Sequence, residues 1–133
     1  IPQVYYDTDS VQVRPKSLPT LDSLAYLLIH NKDVRVEIRS HTDQKASEEY
    51  NMKLSRKRAQ NILQYLIFKG VYPEQLTSQG YGESLPIIPN PQTEEDFAAN
   101  RRTEFKILNY NREKFILRDQ SEEEIKSEKN SEE

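Results

Sequence analysis

A stretch of strict alternation followed by a long helical pattern constrains the fold more than any other feature of this chain. In "VRVEIRS", Val34, Val36 and Ile38 alternate with charged residues, which predicts a strand with one buried and one solvent-facing side. After a short polar loop, apolar residues recur at helical spacing, and we predict a helix over 47–69 that ends at Gly70. A strand with one apolar face needs a covering layer, so this pair predicts a helix packed on a sheet.

The remaining patterns extend this unit by three strands and one helix. Strands are predicted around Tyr5 and Tyr6, over "EQLTSQGYG" and over "RRTEFKIL", and a first helix over "KSLPTLDSLAYLLIHNK". The proline-rich "ESLPIIPNPQTEEDFAAN" predicts a surface loop with one helical turn at 94–99. The predicted fold class is α/β: a compact two-layer sandwich, βαβαβ(loop)β, with a mixed sheet and helices on one face.

Charge is distributed unevenly along the chain and marks a boundary near its end. Residues 121–133 contain six glutamates, two lysines and one apolar residue, Ile125. We therefore predict a domain over 1–110 and an acidic extension over 111–133 that is disordered at its end. The body is close to neutral and gives no reason to expect nucleic acid as a partner. The chain begins at Ile1, and we interpret it as a domain excised from a longer protein.

Two arginines are predicted to face the protein interior. Arg58 shares the apolar face of the 47–69 helix, and Arg101 has the parity of the core residues in its strand, whereas Arg102 is predicted to point to solvent. A buried guanidinium is costly without an anion. One interpretation is therefore an internal salt bridge between Arg58 and Asp43 that fixes the loop to the helix.

The other interpretation is a ligand site, because the polar patch is larger than one ion pair. Asn51 and Ser55 share the inward face of the helix, and the patch lies where loops meet a rigid scaffold. A carboxylate and guanidiniums in one cleft suit a zwitterion: the carboxylate takes an ammonium group and the planar guanidinium takes a carboxylate. "HTD" holds only a weak H-x-D pair, cysteine is absent, and no serine stands in a nucleophile elbow. We predict no metal, no cofactor and no enzymatic activity.

Four motifs in this order and spacing resemble the OmpA-like C-terminal domain, the peptidoglycan-binding module of OmpA, MotB and peptidoglycan-associated lipoprotein. They are "HTD" at 41–43, "YNMKLSRKRA" at 50–59, "GYGES" at 80–84 and "NRRTEF" at 100–105. The resemblance spans roughly residues 4–108. It implies non-covalent binding of peptidoglycan, chiefly through the meso-diaminopimelate of the stem peptide.

The same resemblance implies roles for individual residues. Transferred by motif, Asp43 holds the ammonium group of diaminopimelate and Arg58 takes its carboxylate. Asp9 stands where many members of the family have asparagine, and its carboxylate either strengthens ammonium binding or faces solvent. The residues that complete the implied pocket are Thr42, Asn51, Leu54 and Arg101.

The resemblance also implies a cellular setting. The chain is expected in a Gram-negative periplasm, where it anchors a larger outer-membrane-associated or lipid-anchored protein to the cell wall. Other envelope or type IX secretion components are further expected partners, through the region upstream. Two alternatives remain open: a protein-interaction module that uses the solvent-facing side of the sheet, and, less favoured, an enzyme that acts on stem peptides.

Overall fold

The computed structural model describes residues 2–109, whose strands form one four-stranded sheet. The strands are β1 Val4–Tyr5, β2 Arg35–His41, β3 Leu76–Gly82 and β4 Arg102–Asn109, in the spatial order β1-β4-β2-β3. β2 and β3 run parallel, whereas β4 is antiparallel to both β1 and β2. This mixed sheet confirms the predicted fold class.

Three α-helices alternate with the strands: α1 Leu18–Ile29, α2 Glu48–Phe68 and α3 Glu94–Asn100. α2 begins where predicted, because the Ser47 hydroxyl accepts a hydrogen bond from the Tyr50 backbone N–H at 3.1 Å. It ends before Gly70, whose φ of 110° is in the region that favours glycine. The proline-rich loop contains the whole of α3, which extends the single turn predicted there by one residue.

The core lies between the inner face of the sheet and the first two helices. Val34, Val36 and Ile38 are buried, as their alternation predicts, together with Leu21, Leu24 and Leu28 of α1 and Ala59, Ile62 and Leu66 of α2. β3 runs directly against α2: a Cβ on Gly80 would lie 2.6 Å from the Arg56 backbone nitrogen. Only glycine permits this approach, which sets the position of α2 over the strand ends.

The opposite face of the sheet is less exposed than its alternation predicts. The prediction that Arg102 points to solvent is wrong, since the residue is 3% exposed. Its guanidinium donates to the backbone oxygens of Leu85 at 2.9 Å and Asn100 at 3.3 Å. The loop that follows β3 thus supplies a carbonyl that solvates a side chain on this face.

A set of ionic and aromatic side chains fills this end of the outer face, and we call it the outer-face cluster: Arg39, His41, Tyr81, Arg102 and Glu104. His41 Nε2 lies 2.7 Å from Glu104 Oε1, and the His41 ring stacks on Tyr81 at 5.4 Å between centroids. Burial, reinforced by the charge of Arg102, lowers the pKa of His41 to about 4. His41 is therefore neutral near pH 7.

The acidic extension over 111–133 and the end of the predicted domain at residue 110 lie outside the described residues. Within residues 2–109, no helix combines the length and apolar content needed to cross a membrane.

Candidate ligand-binding pocket

A pocket of about 240 Å³, partly open to solvent, lies beside the start of α2, the end of β2 and the start of β4. Its lining contains all seven residues predicted for the site: Asp9, Thr42, Asp43, Asn51, Leu54, Arg58 and Arg101. Thr8, Lys45 and Ala46 also line it and were not predicted. These three carry no periodicity or motif, so only their position in the folded loops identifies them.

The loop from β2 to α2 holds its shape through backbone and amide contacts. Thr42 N–H donates to the Gly82 oxygen at 2.9 Å. This bond follows a register shift between Ser40 and His41 in the pairing of β2 with β3. Asn51 Nδ2 donates to the backbone oxygens of Asp43 at 3.1 Å and Ala46 at 3.2 Å. One side chain of the helix thereby fixes both ends of the turn that presents the Asp43 carboxylate.

Arg58 lies at the floor of the pocket and is completely buried. Its Nε, Nη1 and Nη2 donate to the backbone oxygens of Ser10 at 2.8 Å, His41 at 3.0 Å and Asp7 at 3.2 Å. The guanidinium also lies over the Tyr6 ring, 4.4 Å from its centroid. Burial lowers the pKa of Arg58 to about 10, so the side chain remains charged at neutral pH.

The internal salt bridge considered for Arg58 is not formed. Asp43 Oδ2 accepts from Arg101 Nη1 at 3.0 Å, and both side chains are more than nine-tenths buried. The inference that a buried guanidinium must contact an anion is wrong for Arg58, because carbonyl oxygens and an aromatic face solvate it instead. Among residues 2–109, no carboxylate therefore contacts Arg58 to neutralise its positive charge.

A chain of buried hydroxyl groups supports this floor. Tyr6 Oη lies 2.8 Å from Thr103 Oγ1, which lies 2.6 Å from Ser40 Oγ. Burial raises the pKa of Tyr6 to about 12, so the ring beneath Arg58 is a neutral phenol. The Ser40 hydroxyl thus forms a hydrogen bond inside the sheet.

The rim carries two further charged contacts. Arg101 Nη2 pairs with Glu94 Oε1 at 3.0 Å, and Lys45 Nζ pairs with Glu94 Oε2 at 2.6 Å. Hydrogen bonds from Lys45 and Arg101 lower the pKa of Glu94. The first residue of α3 therefore joins the loop lysine to the arginine beside Asp43.

Asp9 lies at the mouth of the pocket with an exposed side chain and a φ of 60°. This left-handed conformation is uncommon outside glycine, although aspartate tolerates it better than most residues. The Tyr50 hydroxyl donates to Asp9 Oδ1 at 3.2 Å. Tyr50 stands in the first turn of α2 and is 44% exposed.

The two members of the H-x-D motif serve different faces of the sheet. His41 contacts Glu104 in the outer-face cluster, whereas Asp43 contacts Arg101 in the pocket. Over residues 2–109, no three or more histidine, aspartate or glutamate side chains group in a way that could hold a metal ion. What the pocket offers is fixed charge of both signs, which suits the recognition of a zwitterion.

Known proteins are similar to this chain over most of the residues described above. A family model described as the OmpA family matches residues 5–101. Outer membrane porin F of Pseudomonas fluorescens is 38% identical over 104 residues, covering 78% of this chain and 32% of the porin. The peptidoglycan-associated lipoprotein of Pseudomonas aeruginosa is 36% identical over 107 residues, covering 77% of this chain and 60% of the lipoprotein. The chain thus spans between a third and three-fifths of the length of these relatives.

A solved structure gives the same result for the fold. The crystal structure of the peptidoglycan-associated lipoprotein from Burkholderia pseudomallei superposes with a TM-score of 0.75 at 30% sequence identity. The match covers 80% of this chain and 90% of that one. The sheet and helices described above are therefore a known architecture.

Proposed function

This chain belongs to the OmpA family, and we propose that it binds peptidoglycan non-covalently through the meso-diaminopimelate of the stem peptide. The observation that carries the proposal is the pocket in which the charged Arg58, contacted by no carboxylate of the described residues 2–109, lies near the Asp43 carboxylate. Two of the similar proteins are named peptidoglycan-associated lipoproteins, which supports this choice of ligand.

The free end of diaminopimelate carries an ammonium and a carboxylate on one carbon, and the pocket has a partner for each. A guanidinium has five N–H donors; three of those of Arg58 go to backbone oxygens, so two remain for a ligand carboxylate. The Asp43 carboxylate accepts one hydrogen bond from Lys45 N–H and one from Arg101. Because a carboxylate offers about four lone-pair positions, it retains capacity for an ammonium group.

Access to Arg58 requires a neighbour to move, because Arg58 is fully shielded from solvent. Asp9 is the neighbour best suited to move, since its side chain is exposed and its contact with Tyr50 is an exposed hydrogen bond. In the proposed complex, Asp9 turns toward the ligand ammonium and opens the path to Arg58. This assigns Asp9 to ligand binding rather than to a purely solvent-facing role.

The remaining lining residues position these groups. Leu54 gives an apolar wall for the methylene chain of diaminopimelate, Asn51 holds the loop that carries Asp43, and Arg101 orients the Asp43 carboxylate. Thr42 donates its hydroxyl to the backbone oxygen of Asp43 at 2.9 Å and so stabilises the same turn. Each contact orients charge, and none pairs a nucleophile with a general base, which favours binding over catalysis.

In this function the domain anchors a larger envelope protein to the cell wall from the periplasmic side of the outer membrane. The names outer membrane porin F and peptidoglycan-associated lipoprotein support that setting. Other envelope components, including those of a type IX secretion system, are proposed partners of regions outside residues 2–109.

Calorimetric titration with three stem peptides tests the ligand assignment. Stems with free meso-diaminopimelate should bind, whereas lysine stems and stems amidated at the diaminopimelate side-chain carboxylate should bind at least tenfold more weakly, because Arg58 then lacks its anion. Mass analysis of the mixtures after long incubation should show intact stems. Equal affinity for the lysine stem would refute the assignment of Arg58, and cleaved stems would refute a purely binding function.

A further inference from the structure

A second pair of cations lies on the rim of the pocket, separate from Arg58. Arg101 and Lys45 both line the pocket, and both contact one carboxylate, that of Glu94. The burial of the three side chains differs sharply: Arg101 is 6% exposed, Lys45 39% and Glu94 63%. The two cations thus belong to the pocket wall, whereas the anion between them reaches in from the solvent side.

Neither cation depends on Glu94 to keep its position. Arg101 Nε donates to the Tyr6 backbone oxygen at 2.9 Å, and its Nη1 donates to Asp43 at 3.0 Å. Lys45 Nζ lies 4.7 Å from the centroid of the Phe97 ring, which provides a cation–π contact. If Glu94 turned away, these contacts would still favour the present positions of both side chains, and Lys45 Nζ and Arg101 Nη2 would each have a donor available to another anion at the pocket wall.

Glu94 is also free to leave without a large cost. The Glu94 carboxylate is 63% exposed, so water competes for it and weakens its pairing with Lys45. The helix that carries Glu94 is capped by other groups: Thr93 Oγ1 accepts from the Asp96 N–H at 3.1 Å, and Asp96 Oδ2 accepts from the Thr93 N–H at 3.2 Å. α3 can therefore keep its first turn while the Glu94 side chain changes rotamer.

We propose that Lys45 and Arg101 form a second carboxylate-binding subsite, which Glu94 occupies within the protein and which a second carboxylate of the ligand takes over on binding. This inference rests on the proposed function, since it adds a contact to the same ligand. Stem peptides carry two candidates for this group, the α-carboxylate of the γ-linked glutamate and the terminal carboxylate. Glu94 thereby selects ligands that bring an additional negative charge.

Acetate, the simplest carboxylate, tests the subsite independently of peptidoglycan. The backbone amide signal of Lys45 is followed by NMR during acetate titration of the wild type, Glu94→Gln and the control Glu95→Gln. Glu95 is exposed on the same helix, so its substitution makes the same change in charge. We expect half-saturation of Glu94→Gln at an acetate concentration about fivefold lower than for the other two proteins. Equal midpoints for all three would overturn the subsite.

The stem tripeptide with free diaminopimelate tests the role of the subsite in binding. Glu94→Gln should bind it about fivefold more tightly than wild type, and Lys45→Gln about fivefold more weakly. The exposed Lys53→Gln serves as the matched control. Amidating the glutamate or the terminal carboxylate in turn identifies the group, because the gain from Glu94→Gln should vanish with one of the two.

The outcomes separate the two proposals. Wild-type protein that fails to bind the stem would overturn the proposed function, whereas the acetate titration would still decide whether the subsite exists. Wild-type protein that binds the stem with an affinity unchanged by Glu94→Gln would overturn the role of the subsite and leave peptidoglycan binding intact.

Discussion

The pocket and the outer-face cluster bury arginines at the same end of one sheet, but they treat the charge differently. In the outer-face cluster each guanidinium has a carboxylate close by: Arg39 lies 3.1 Å from Glu37, and Arg102 lies 3.4 Å from Glu104. At the pocket floor, the polar partners of Arg58 within the described part of the chain are three carbonyl oxygens, and its guanidinium lies over an aromatic ring. A buried charge by itself therefore does not indicate a binding site; our proposal for the pocket depends on a buried charge that contacts no carboxylate of residues 2–109.

The two regions also differ in how completely side chains fill them. The pocket is a partly open space between the loops, whereas in the outer-face cluster the Tyr81 ring lies between Arg39, 4.7 Å from its centroid, and His41. The Tyr81 hydroxyl also donates to Glu37 at 3.1 Å. The cluster therefore fills its own volume, and substitutions there should change stability, while substitutions in the pocket should change affinity.

Replacing Arg58 by lysine should give the largest effect, because it affects both properties. A lysine keeps the charge but cannot donate to the three backbone oxygens or present a planar fork to a carboxylate. We expect affinity for the diaminopimelate stem to fall at least a hundredfold and the free energy of unfolding to fall by about 1–3 kcal/mol. Calorimetric titration and urea denaturation measure the two effects.

The neighbouring arginine of the same helix supplies the control. Arg56 is exposed, so Arg56→Lys should leave affinity and stability close to those of the wild type. Equal affinities of the Arg56→Lys and Arg58→Lys proteins would remove Arg58 from the site and the contrast with the outer-face cluster.

Replacing His41 by glutamine should change how stability depends on pH without changing binding. Its pKa is about 4 in the folded protein against an ordinary value of about 6.5, so the folded state disfavours the protonated ring. The stability that the neutral ring contributes is fully present above about pH 6.5 and is lost progressively as the pH falls toward 4. Urea denaturation of His41→Gln should therefore show a weaker pH dependence between pH 6.5 and 4.

A variant of the other histidine, His30, serves as the control for this effect. His30 is exposed, so His30→Gln should keep the pH profile of the wild type. A His41→Gln protein with the wild-type profile would show that the buried ring does not control stability in this range. Loss of stem binding by His41→Gln at pH 7 would contradict the separation of the two faces.

Asp43→Asn should weaken binding by about 1.5–3 kcal/mol, or roughly ten- to a hundredfold, because the ligand ammonium loses a charge-assisted partner. The fold should survive, since asparagine still offers an oxygen to Arg101. Glu104→Gln removes a carboxylate from the outer-face cluster and should lower stability with little change in affinity. Normal retention of folded Asp43→Asn protein on insoluble peptidoglycan would exclude Asp43 from the site.

Deleting residues 121–133 should give the smallest effect. Because this segment is acidic and contains one apolar residue, we expect it not to join the core. The melting temperature and the affinity for peptidoglycan should stay within experimental error of the full chain. A clear drop in either would mean that the segment docks on the domain, with the basic surface of Lys53, Arg56 and Lys57 as the expected place.

Much of the fold follows from local patterns in the sequence. The alternation of Val34, Val36 and Ile38 identifies β2 and its buried face, and the helical period around Arg58 predicts that this side chain points inward. Ser47 and Gly70 mark the ends of α2 through capping and backbone conformation. These features depend on residues a few positions apart, so local sequence is enough to predict them.

Which charged side chains contact one another follows only from the tertiary structure. Asp43 pairs with Arg101, 58 positions away, rather than with Arg58. Arg102 is buried because the loop after β3 reaches it with a carbonyl group, and Lys45 enters the pocket through a turn that no periodicity describes. Which charge meets which depends on how loops from separate elements converge, and charge pairing acts over distances in space that have no fixed relation to distance along the chain.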